Sequence, residues 1–458
     1  MTLRSRMFLV GAIAFVVALL AIDARSTYGA RVSSDEPQYL LTAMSLGDDF
    51  DLDISDELEA EAYRDFHEVR LNQQTIDLNE SGQRISPHDP LLPLILAIPM
   101  KIGGWQGAKV MLALIVGLTS ASTLWFAIRR LAVPDTTATW VVGAFFTAPP
   151  LTSYGSQIFP AGPAALAVVV GAIAVTSPKP SRRTDALALA SIVALPWLSV
   201  KYGLLVAVLT AALAWQHRED RRRLLRLGGI LAAMGVIYLL FHREVYGGWT
   251  VYASGDHFVN GEFDVVGNDP NYFGRSRRLI GLLIDRGFGI AAWTPAFIVM
   301  PVAVVAVARR TRQSVVPLAL IAAGWATATW VALTMHGWWW PGRQITPILP
   351  LVAVAIAAWV GPSLRRRAAV VAATLLGTIT WLVLAWEAST DRRTIIFDFE
   401  QTGSPWYQAV RHILPNHMDY GRADALGTLV WVVILATVTG VAIRNRRQDS
   451  AITESSGA

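Results

Sequence analysis

The sequence predicts an all-α, polytopic transmembrane bundle of about twelve helices with a large loop on the outer face of the membrane. Of the 458 residues, 53% are hydrophobic and only 16% are charged, whereas a soluble chain carries about 25% charged residues. The apolar residues gather in runs of roughly 15–23, which is the length that crosses a bilayer core. Short clusters of Arg separate many of these runs, so the net charge of +5 indicates membrane orientation rather than nucleic-acid binding.

Twelve apolar runs are candidate membrane spans. They occupy residues 7–22, 106–128, 137–154, 160–177, 184–199, 203–217, 224–242, 288–308, 314–335, 344–361, 368–386 and 425–443. The first run follows two Arg residues, and this pattern is also typical of a signal peptide. We interpret it as a retained helix, because many spans follow and no cleavage motif is convincing. Pro196, Lys201 and Tyr202 interrupt residues 184–217, and we predict two spans there, because a single span would invert every later segment.

The gaps between the runs alternate in character. The basic gaps are 129–130, 179–183, 218–226, 309–312, 365–367 and 444–447, and the long or aromatic gaps are 23–105, 243–287, 336–343 and 387–424. The positive-inside rule assigns the basic gaps and both termini to the cytoplasm. We therefore predict one transmembrane domain over residues 1–443, an outer acidic loop at 23–105 within it, and a disordered cytoplasmic tail at 444–458. The chain has no Cys, which excludes disulfides and thiolate metal sites.

The outer loop after the first helix is strongly acidic. Residues 23–90 contain 16 Asp and Glu residues against five Arg residues. An apolar stretch, Leu91 to Ile102, follows the loop and is too short to span a membrane comfortably. We predict that this stretch lies at the interface as an amphipathic helix.

Two motifs stand out in this loop. The first is Asp35-Glu36 followed by Tyr39, and the second is the His88-Asp89-Pro90-Leu91 segment. Both resemble motifs of the type C glycosyltransferases, which use polyprenyl-phosphate sugars and include protein O-mannosyltransferases and the lipid A aminoarabinose transferase. A third segment, Pro341-Gly342-Arg343, is similar to an Arg-containing segment at the outer end of a late helix in these enzymes. Gln344 departs from the pattern, because an aromatic residue is common at that place.

The resemblance implies an inverting glycosyltransferase in the cell membrane, with its active site facing the outside. It would transfer a sugar from a polyprenyl-phosphate donor to a glycan, lipid or protein acceptor, in the assembly of a cell-envelope glycan or glycoconjugate. Such a reaction needs a base for the acceptor hydroxyl, positive charge for the leaving phosphate and a groove for the lipid. The expected partners are therefore the donor, the acceptor and membrane lipids, and no nucleic acid.

The resemblance assigns the catalytic base to Asp35. Without it, Asp35 and Glu36 would be interpreted as the cap of a helix that begins near Pro37. For the lipid phosphate and the substrate we select further side chains near the motifs and at the outer ends of apolar runs: Glu36, Tyr39, His88, Lys201, Tyr202, Arg278 and Arg343. A cation at a helix end could instead reach towards lipid headgroups. Lys201, however, interrupts a hydrophobic stretch, where a charge is expensive.

The acidic run from Asp48 to Glu61 raises the possibility of a metal. Asp48, Asp51 and Asp53 are candidate ligands, because closely spaced carboxylates suit calcium. The run lacks the glycine and glutamate positions of the helix–loop–helix calcium motif, and a solvated acidic loop is the alternative interpretation. Type C enzymes occur with and without a divalent metal, so a Mg, Mn or Ca cofactor stays open.

Two other functions compete with the transferase. A secondary transporter, or a flippase for a lipid-linked substrate, suits twelve helices with both termini inside. Such a protein should carry ionisable groups in the middle of its spans, whereas here the polar groups gather in the outer loops. A scaffold that keeps the fold without activity is the third alternative.

Overall fold

A computed structural model describes residues 1–74, 76–78, 83–251, 271–308 and 314–456 of the chain. These residues form helices and one two-stranded sheet. The helices are α1 (Leu3–Leu19), α2 (Glu36–Asp48), α3 (Ser55–Glu59), α4 (Leu91–Leu131), α5 (Asp135–Thr147), α6 (Ala161–Val175), α7 (Arg182–Leu198), α8 (Gly203–Gln216), α9 (Arg221–Tyr246), α10 (Tyr272–Arg275), α11 (Arg278–Ile284), α12 (Ile290–Trp293), α13 (Met300–Ala308), α14 (Val315–Ala326), α15 (Leu349–Val360), α16 (Leu364–Ser389), α17 (Pro405–Val410) and α18 (Arg422–Ser456). The predicted Arg cluster at 309–312 and the centre of the loop at 243–287 lie outside the described residues.

The helices follow the apolar runs of the sequence. Within the described residues, four segments are long and apolar enough to cross a membrane: Leu91–Leu131, Arg221–Tyr246, Leu364–Ser389 and Arg422–Ala442. Shorter apolar helices lie at Ala161–Val175, Val200–Gln216, Pro295–Ala308, Val315–Val331 and Thr346–Val360. The predicted all-α membrane bundle is confirmed, while the number of spans and their orientation stay predictions.

Residues 184–217 form two helices, as the sequence predicts. α7 ends at Leu198, and Ser199 has an extended backbone with φ −170° and ψ 129°. A single 3₁₀ turn over Val200–Tyr202 then leads into α8. The break puts the polar end of Lys201 between two helices instead of within one.

The predicted interfacial helix is the first part of α4. Its axis breaks at Gly103 (φ −132°) and Gly104 (φ 57°, ψ −156°), so Leu91–Ile102 points in a different direction from the remainder of the helix. The backbone of Gly104 lies in a region that residues with a Cβ avoid. This kink lets the first part pack along α2 while the second part packs against α1.

The crossing of α1 and α4 is close because both helices present glycine. A Cβ on Gly11 would lie 3.0 Å from the carbonyl oxygen of Gly117, and a Cβ on Gly117 would lie 2.8 Å from that of Gly11. Small residues at such a crossing allow two helix backbones to approach in a membrane bundle. The contact fixes the start of the outer loop relative to α4.

The outer loop is folded against the bundle. Ten of the residues of α2 are buried, and a β-hairpin follows α3, with strand β1 (Ile76–Leu78) pairing antiparallel to β2 (Gln83–Ile85) in the register Ile76 to Ile85. Isolated bridges join Ala30 to His67 and Asp53 to Ile85. These bridges join parts of the loop to one another. The backbone N–H of Arg25 donates to the carbonyl oxygen of Ala388 in α16 at 3.2 Å and ties the loop to the helices.

The sequence predicts a disordered cytoplasmic tail at 444–458. The described residues of this segment continue helix α18 to Ser456. The domain bounds and the cytoplasmic location of the tail stay predictions.

Candidate active site

Asp35 occupies the N-cap position of α2, but it does not act as a cap. Its side chain makes no hydrogen bond to the first turn of the helix, and Pro37 lies in that turn. One carboxylate oxygen instead accepts a hydrogen bond from the Ser34 hydroxyl at 3.0 Å. The Asp35 side chain therefore does not cap the helix, and its carboxylate is available for another task.

The other oxygen of Asp35 meets Arg343, which is 308 residues away in sequence. Arg343 Nη2 donates to Asp35 Oδ2 at 2.7 Å, and both side chains are largely buried, with 8% and 15% of their surface exposed. The guanidinium carbon lies 3.8 Å from the ring centroid of Phe159 and 4.7 Å from that of Trp339. Two aromatic rings therefore hold the cation in one orientation beside the carboxylate.

The pair is ionised. Burial by itself would raise the pKa of Asp35, but the charge of Arg343 and the proximity of His88 outweigh burial and lower this pKa to about 2. Burial similarly opposes the charge on Arg343, and Asp35 overcomes that effect and raises the arginine pKa. Arg343 Nε is buried and has no hydrogen-bond partner among the described residues, so the guanidinium keeps a donor for a ligand.

His88 faces the same carboxylate from the closing motif of the loop. Its Nε2 atom lies 4.0 Å from Asp35 Oδ1, and its ring centroid lies 4.7 Å from that of Tyr39. Burial lowers the pKa of His88, so the ring is neutral at neutral pH. Nδ1 lies 2.9 Å from the carbonyl oxygen of Pro87, which makes Nδ1 the donor and leaves Nε2 as an acceptor.

Lys201 reaches this site from the break between α7 and α8. Its Nζ atom donates to Gln344 Oε1 at 3.0 Å and lies 5.5 Å from the ring centroid of Tyr202. Gln344 follows Arg343 in the chain, so this hydrogen bond links Lys201 to the segment that carries Arg343. Gln344, the residue at which this sequence departs from the motif, is therefore the residue that binds Lys201.

Asp89 joins the two halves of the site, and we did not select it from the sequence. Its Oδ2 accepts the backbone N–H of Val200 at 3.1 Å, while Oδ1 accepts from the Tyr238 hydroxyl at 3.2 Å and from His242 Nε2 at 3.0 Å. Asp89 thereby ties the His88 segment to the turn that carries Lys201 and to α9. The sequence did contain a signal for Asp89, because this residue lies within the His88-Asp89-Pro90-Leu91 segment.

Glu36 holds the backbone around Asp35 in place. One carboxylate oxygen accepts the N–H of Ser33 and the other accepts the N–H of Ile158. Lys109, which is almost fully buried, approaches from α4 and donates to the carbonyl oxygens of Ile22 and Arg31. Glu36 is predicted from the sequence to contact substrate, but these bonds favour a positioning role.

Arg278 lies apart from these contacts. Its guanidinium donates to the carbonyl oxygens of Thr329, Ala332 and Leu333, where the helical segment after α14 ends. The sequence-based selection of Arg278 for the lipid phosphate finds no support in this arrangement, because three backbone carbonyls already use its donors. An exposed helix end needs such donors, which explains why a cation stands there.

The three acidic candidates for a metal do not converge. Asp48 pairs with Lys101 at 3.2 Å. Asp51 Oδ1 accepts from the Ser45 hydroxyl and the Asp53 backbone, and Asp53 Oδ1 accepts from Ser55. These bonds shape the loop. Among the described residues, a different set of carboxylates has a spacing that suits a metal ion: Asp49, Asp56 and Glu57.

The arrangement brings together an ionised carboxylate, the Arg343 cation, the Lys201 amine and a neutral imidazole in one site at the acidic loop. A carboxylate beside a held cation can take a proton while the cation stabilises negative charge on a departing group. The groups come from the start of α2, the end of the acidic loop, the α7–α8 break and the segment before α15. The three motifs single out all of these segments except the α7–α8 break.

Comparison with known proteins gives a match at the level of structure. No protein-family model matches the chain, and no curated protein matches it at a significant level. ArnT from Cupriavidus metallidurans bound to undecaprenyl phosphate aligns with a TM-score of 0.51 and 16% identity over 94% of this chain and 77% of ArnT. ArnT in the apo state aligns with a TM-score of 0.50 and 13% identity over 94% of this chain and 76% of ArnT. Since ArnT is a type C glycosyltransferase and the alignment spans nearly the whole chain, this membrane protein has the type C glycosyltransferase fold that its motifs predict.

Proposed function

We propose that the protein is an inverting membrane glycosyltransferase that moves a sugar from a polyprenyl-phosphate donor to an acceptor on the outer face of the membrane. The observation that carries this proposal is the buried contact between Asp35 and Arg343 at 2.7 Å. The sequence motifs nominate these two residues separately, one as base and one as phosphate ligand. The likeness to ArnT bound to undecaprenyl phosphate supports the same class of donor.

In the proposed reaction Asp35 accepts the proton of the acceptor hydroxyl. The acceptor oxygen forms a bond to the anomeric carbon as the bond from that carbon to the phosphate oxygen breaks. The electron pair of the broken bond stays on the polyprenyl phosphate, which gains one negative charge. A single displacement of this kind inverts the anomeric centre, as it does in inverting glycosidases that use one base.

Arg343 and Lys201 are the proposed ligands of the leaving phosphate. Arg343 has an unused buried Nε donor, and Lys201 is held next to it through Gln344. Planar guanidinium groups suit phosphate because two donors can bind two oxygens. Tyr39, His88 and Tyr202 line the same region, and we assign to His88 Nε2 the acceptance of a hydrogen bond from substrate or donor.

The resting pair also suggests how the base becomes effective. A carboxylate with a pKa of about 2 is a weak base, and the cause of that low value is Arg343. When a donor phosphate shares Arg343, the carboxylate loses part of its compensating charge and its basicity rises. Donor binding would thus activate Asp35 at the moment when a proton has to be removed.

A lipid analysis followed by an assay in detergent tests the transferase function. Cells in which Asp35→Asn replaces the native protein should accumulate one polyprenyl-phosphate sugar, identified by mass spectrometry, while cells with Asp65→Asn, an exposed control in the same loop, should not. Purified wild-type protein in micelles should then convert that lipid to polyprenyl phosphate when supplied with a cell-envelope acceptor fraction.

Micelles separate the transferase from its alternatives, because they have no two compartments between which transport could occur. Conversion by the wild type and none by Asp35→Asn supports the proposal. A lipid that accumulates in the mutant cells but is left intact by the wild type in micelles would instead support a transporter or flippase. Wild-type and Asp35→Asn cells with identical lipids and growth would point to a scaffold.

A further inference from the structure

A second group of carboxylates lies at the opposite end of α2 from Asp35. Asp49 follows the last residue of α2, and Asp56 and Glu57 belong to α3. One ligand oxygen from each residue lies within 4.8 Å of those from the other two. A helix of 13 residues such as α2 is about 20 Å long, so this group is separate from the candidate active site.

Glu57 is the member of this group that indicates a ligand. The residue is only 7% exposed, and its Oε2 atom is buried without a hydrogen-bond partner among the described residues. A buried carboxylate oxygen with no donor is costly unless a proton or a cation neutralises the group.

Among the described residues, no basic side chain supplies the missing positive charge. Lys101, a basic side chain of the neighbouring α4, pairs with Asp48 at 3.2 Å. Of the described Lys, Arg and His residues, none forms an ion pair with Asp49, Asp56 or Glu57. Asp51 and Asp53 turn their own oxygens towards loop donors. Three carboxylates therefore face one another without a protein cation between them.

We propose that Asp49, Asp56 and Glu57 bind one hard divalent cation of the calcium type. Carboxylate oxygens are the ligands that calcium prefers, and bonds of about 2.3–2.6 Å place oxygens on opposite sides of the ion about 5 Å apart. Asp49 and Asp56 are exposed, so water completes the coordination shell. The cation fastens α3 to the end of the helix that begins at Asp35, and this role does not depend on the proposed transferase activity.

Calcium titration of the full-length protein tests this site. The purified protein in detergent is stripped with EDTA, dialysed, and titrated with CaCl₂ by calorimetry, with thermal unfolding recorded in parallel. We expect one site with a Kd on the order of 10⁻⁴–10⁻³ M, as in extracellular calcium modules, and a rise in unfolding temperature with calcium. Glu57→Gln should weaken binding at least tenfold, whereas Glu59→Gln, an exposed residue of the same helix, should bind like the wild type.

Asp56→Asn provides a second variant whose exposed side chain is not needed for folding, in case Glu57→Gln does not fold. It should also weaken calcium binding at least tenfold. The proposal is overturned if the wild type shows no calcium binding up to about tenfold above the expected range, because Glu57 then shares a proton with Asp56 instead. Equal calcium affinity in the wild type and both variants would also overturn it.

Discussion

At the scale of single residues, the site depends on one arginine that serves two anions in turn. In the resting protein Arg343 compensates Asp35, and in the proposed complex it also compensates a phosphate. The rings of Phe159 and Trp339 lie against its guanidinium, so the cation stays in position while its partners change. A lysine on a flexible stem would not keep this geometry.

Replacing Asp35 by Asn should leave the protein folded and remove the base. We expect turnover of the accumulated polyprenyl-phosphate sugar to fall by about 10²–10⁴-fold, which is the usual contribution of a general base. Asp65→Asn, with the same chemical change at an exposed position of the loop, should retain wild-type turnover. A rate within a factor of two of wild type for Asp35→Asn would exclude Asp35 as the base.

The two arginines selected from the sequence should behave differently. Arg343→Gln should weaken binding of undecaprenyl phosphate by about ten- to a hundredfold, the value of a lost charged hydrogen bond. Arg278→Ala should leave that affinity unchanged but lower the unfolding temperature, because the carbonyls of Ala332 and Leu333 lose their donor. Lys201→Met, measured by the same lipid titration, should resemble Arg343→Gln. Reduced affinity in Arg278→Ala alone would contradict this division of roles.

At the scale of elements, breaks in helices bring the site together. The break after α7 delivers Lys201, and the kink in α4 turns the helix that follows the His88 segment along α2. Asp89, which comes just before α4, accepts the N–H of Val200 in the break after α7. Polar side chains thereby reach a common point although most of each helix is apolar.

The kink in α4 offers a test with a matched control. At neither Gly103 nor Gly104 would a Cβ meet another atom within 4 Å, but only Gly104 has a positive φ, at 57°. Gly104→Ala should therefore destabilise the fold by about 1–3 kcal/mol through backbone strain, while Gly103→Ala should have little effect. Thermal unfolding of both variants in one detergent measures the difference. Equal unfolding temperatures would show that a side chain at position 104 does not strain the backbone.

At the scale of the whole molecule, the sequence predicts the helices well and the long-range contacts poorly. The apolar runs and Pro196 with Lys201 are enough to predict the order of helices and the break at 199–202, because a bilayer dictates length and hydropathy. Asp35, His88 and Arg343 were found through motifs. Their mutual distances depend on how separated segments pack, which no local pattern in one chain encodes.

The residues that sequence reasoning missed share a physical cause. Asp89, Lys109 and Gln344 act by holding backbone or side chains of other residues, so each resembles an ordinary polar residue until its partners are known. Lys109 carried a readable signal, since one lysine inside the apolar run 106–128 is expensive unless it is paired. Arg278 was selected for its charge and its predicted side of the membrane, and its guanidinium donates to backbone carbonyls at the end of a helical segment.

The predicted orientation can be tested with introduced cysteines, because the chain has no native Cys. Asp65→Cys in the acidic loop should react in intact cells with a maleimide that does not cross membranes. Ser181→Cys, at the start of α7, should react only after the membrane is permeabilised. The reverse pattern would put the acidic loop in the cytoplasm and would contradict an active site on the outer face.

The most direct test of the central claim is a structure of the protein in lipid with undecaprenyl phosphate bound. The account predicts phosphate oxygens within about 3 Å of Arg343 and Lys201, the distance of charged hydrogen bonds, with Asp35 facing the phosphate across the space for the sugar. Phosphate bound at Arg278 or elsewhere, with Asp35 still paired only to Arg343, would contradict the account and leave the type C likeness as one of fold alone.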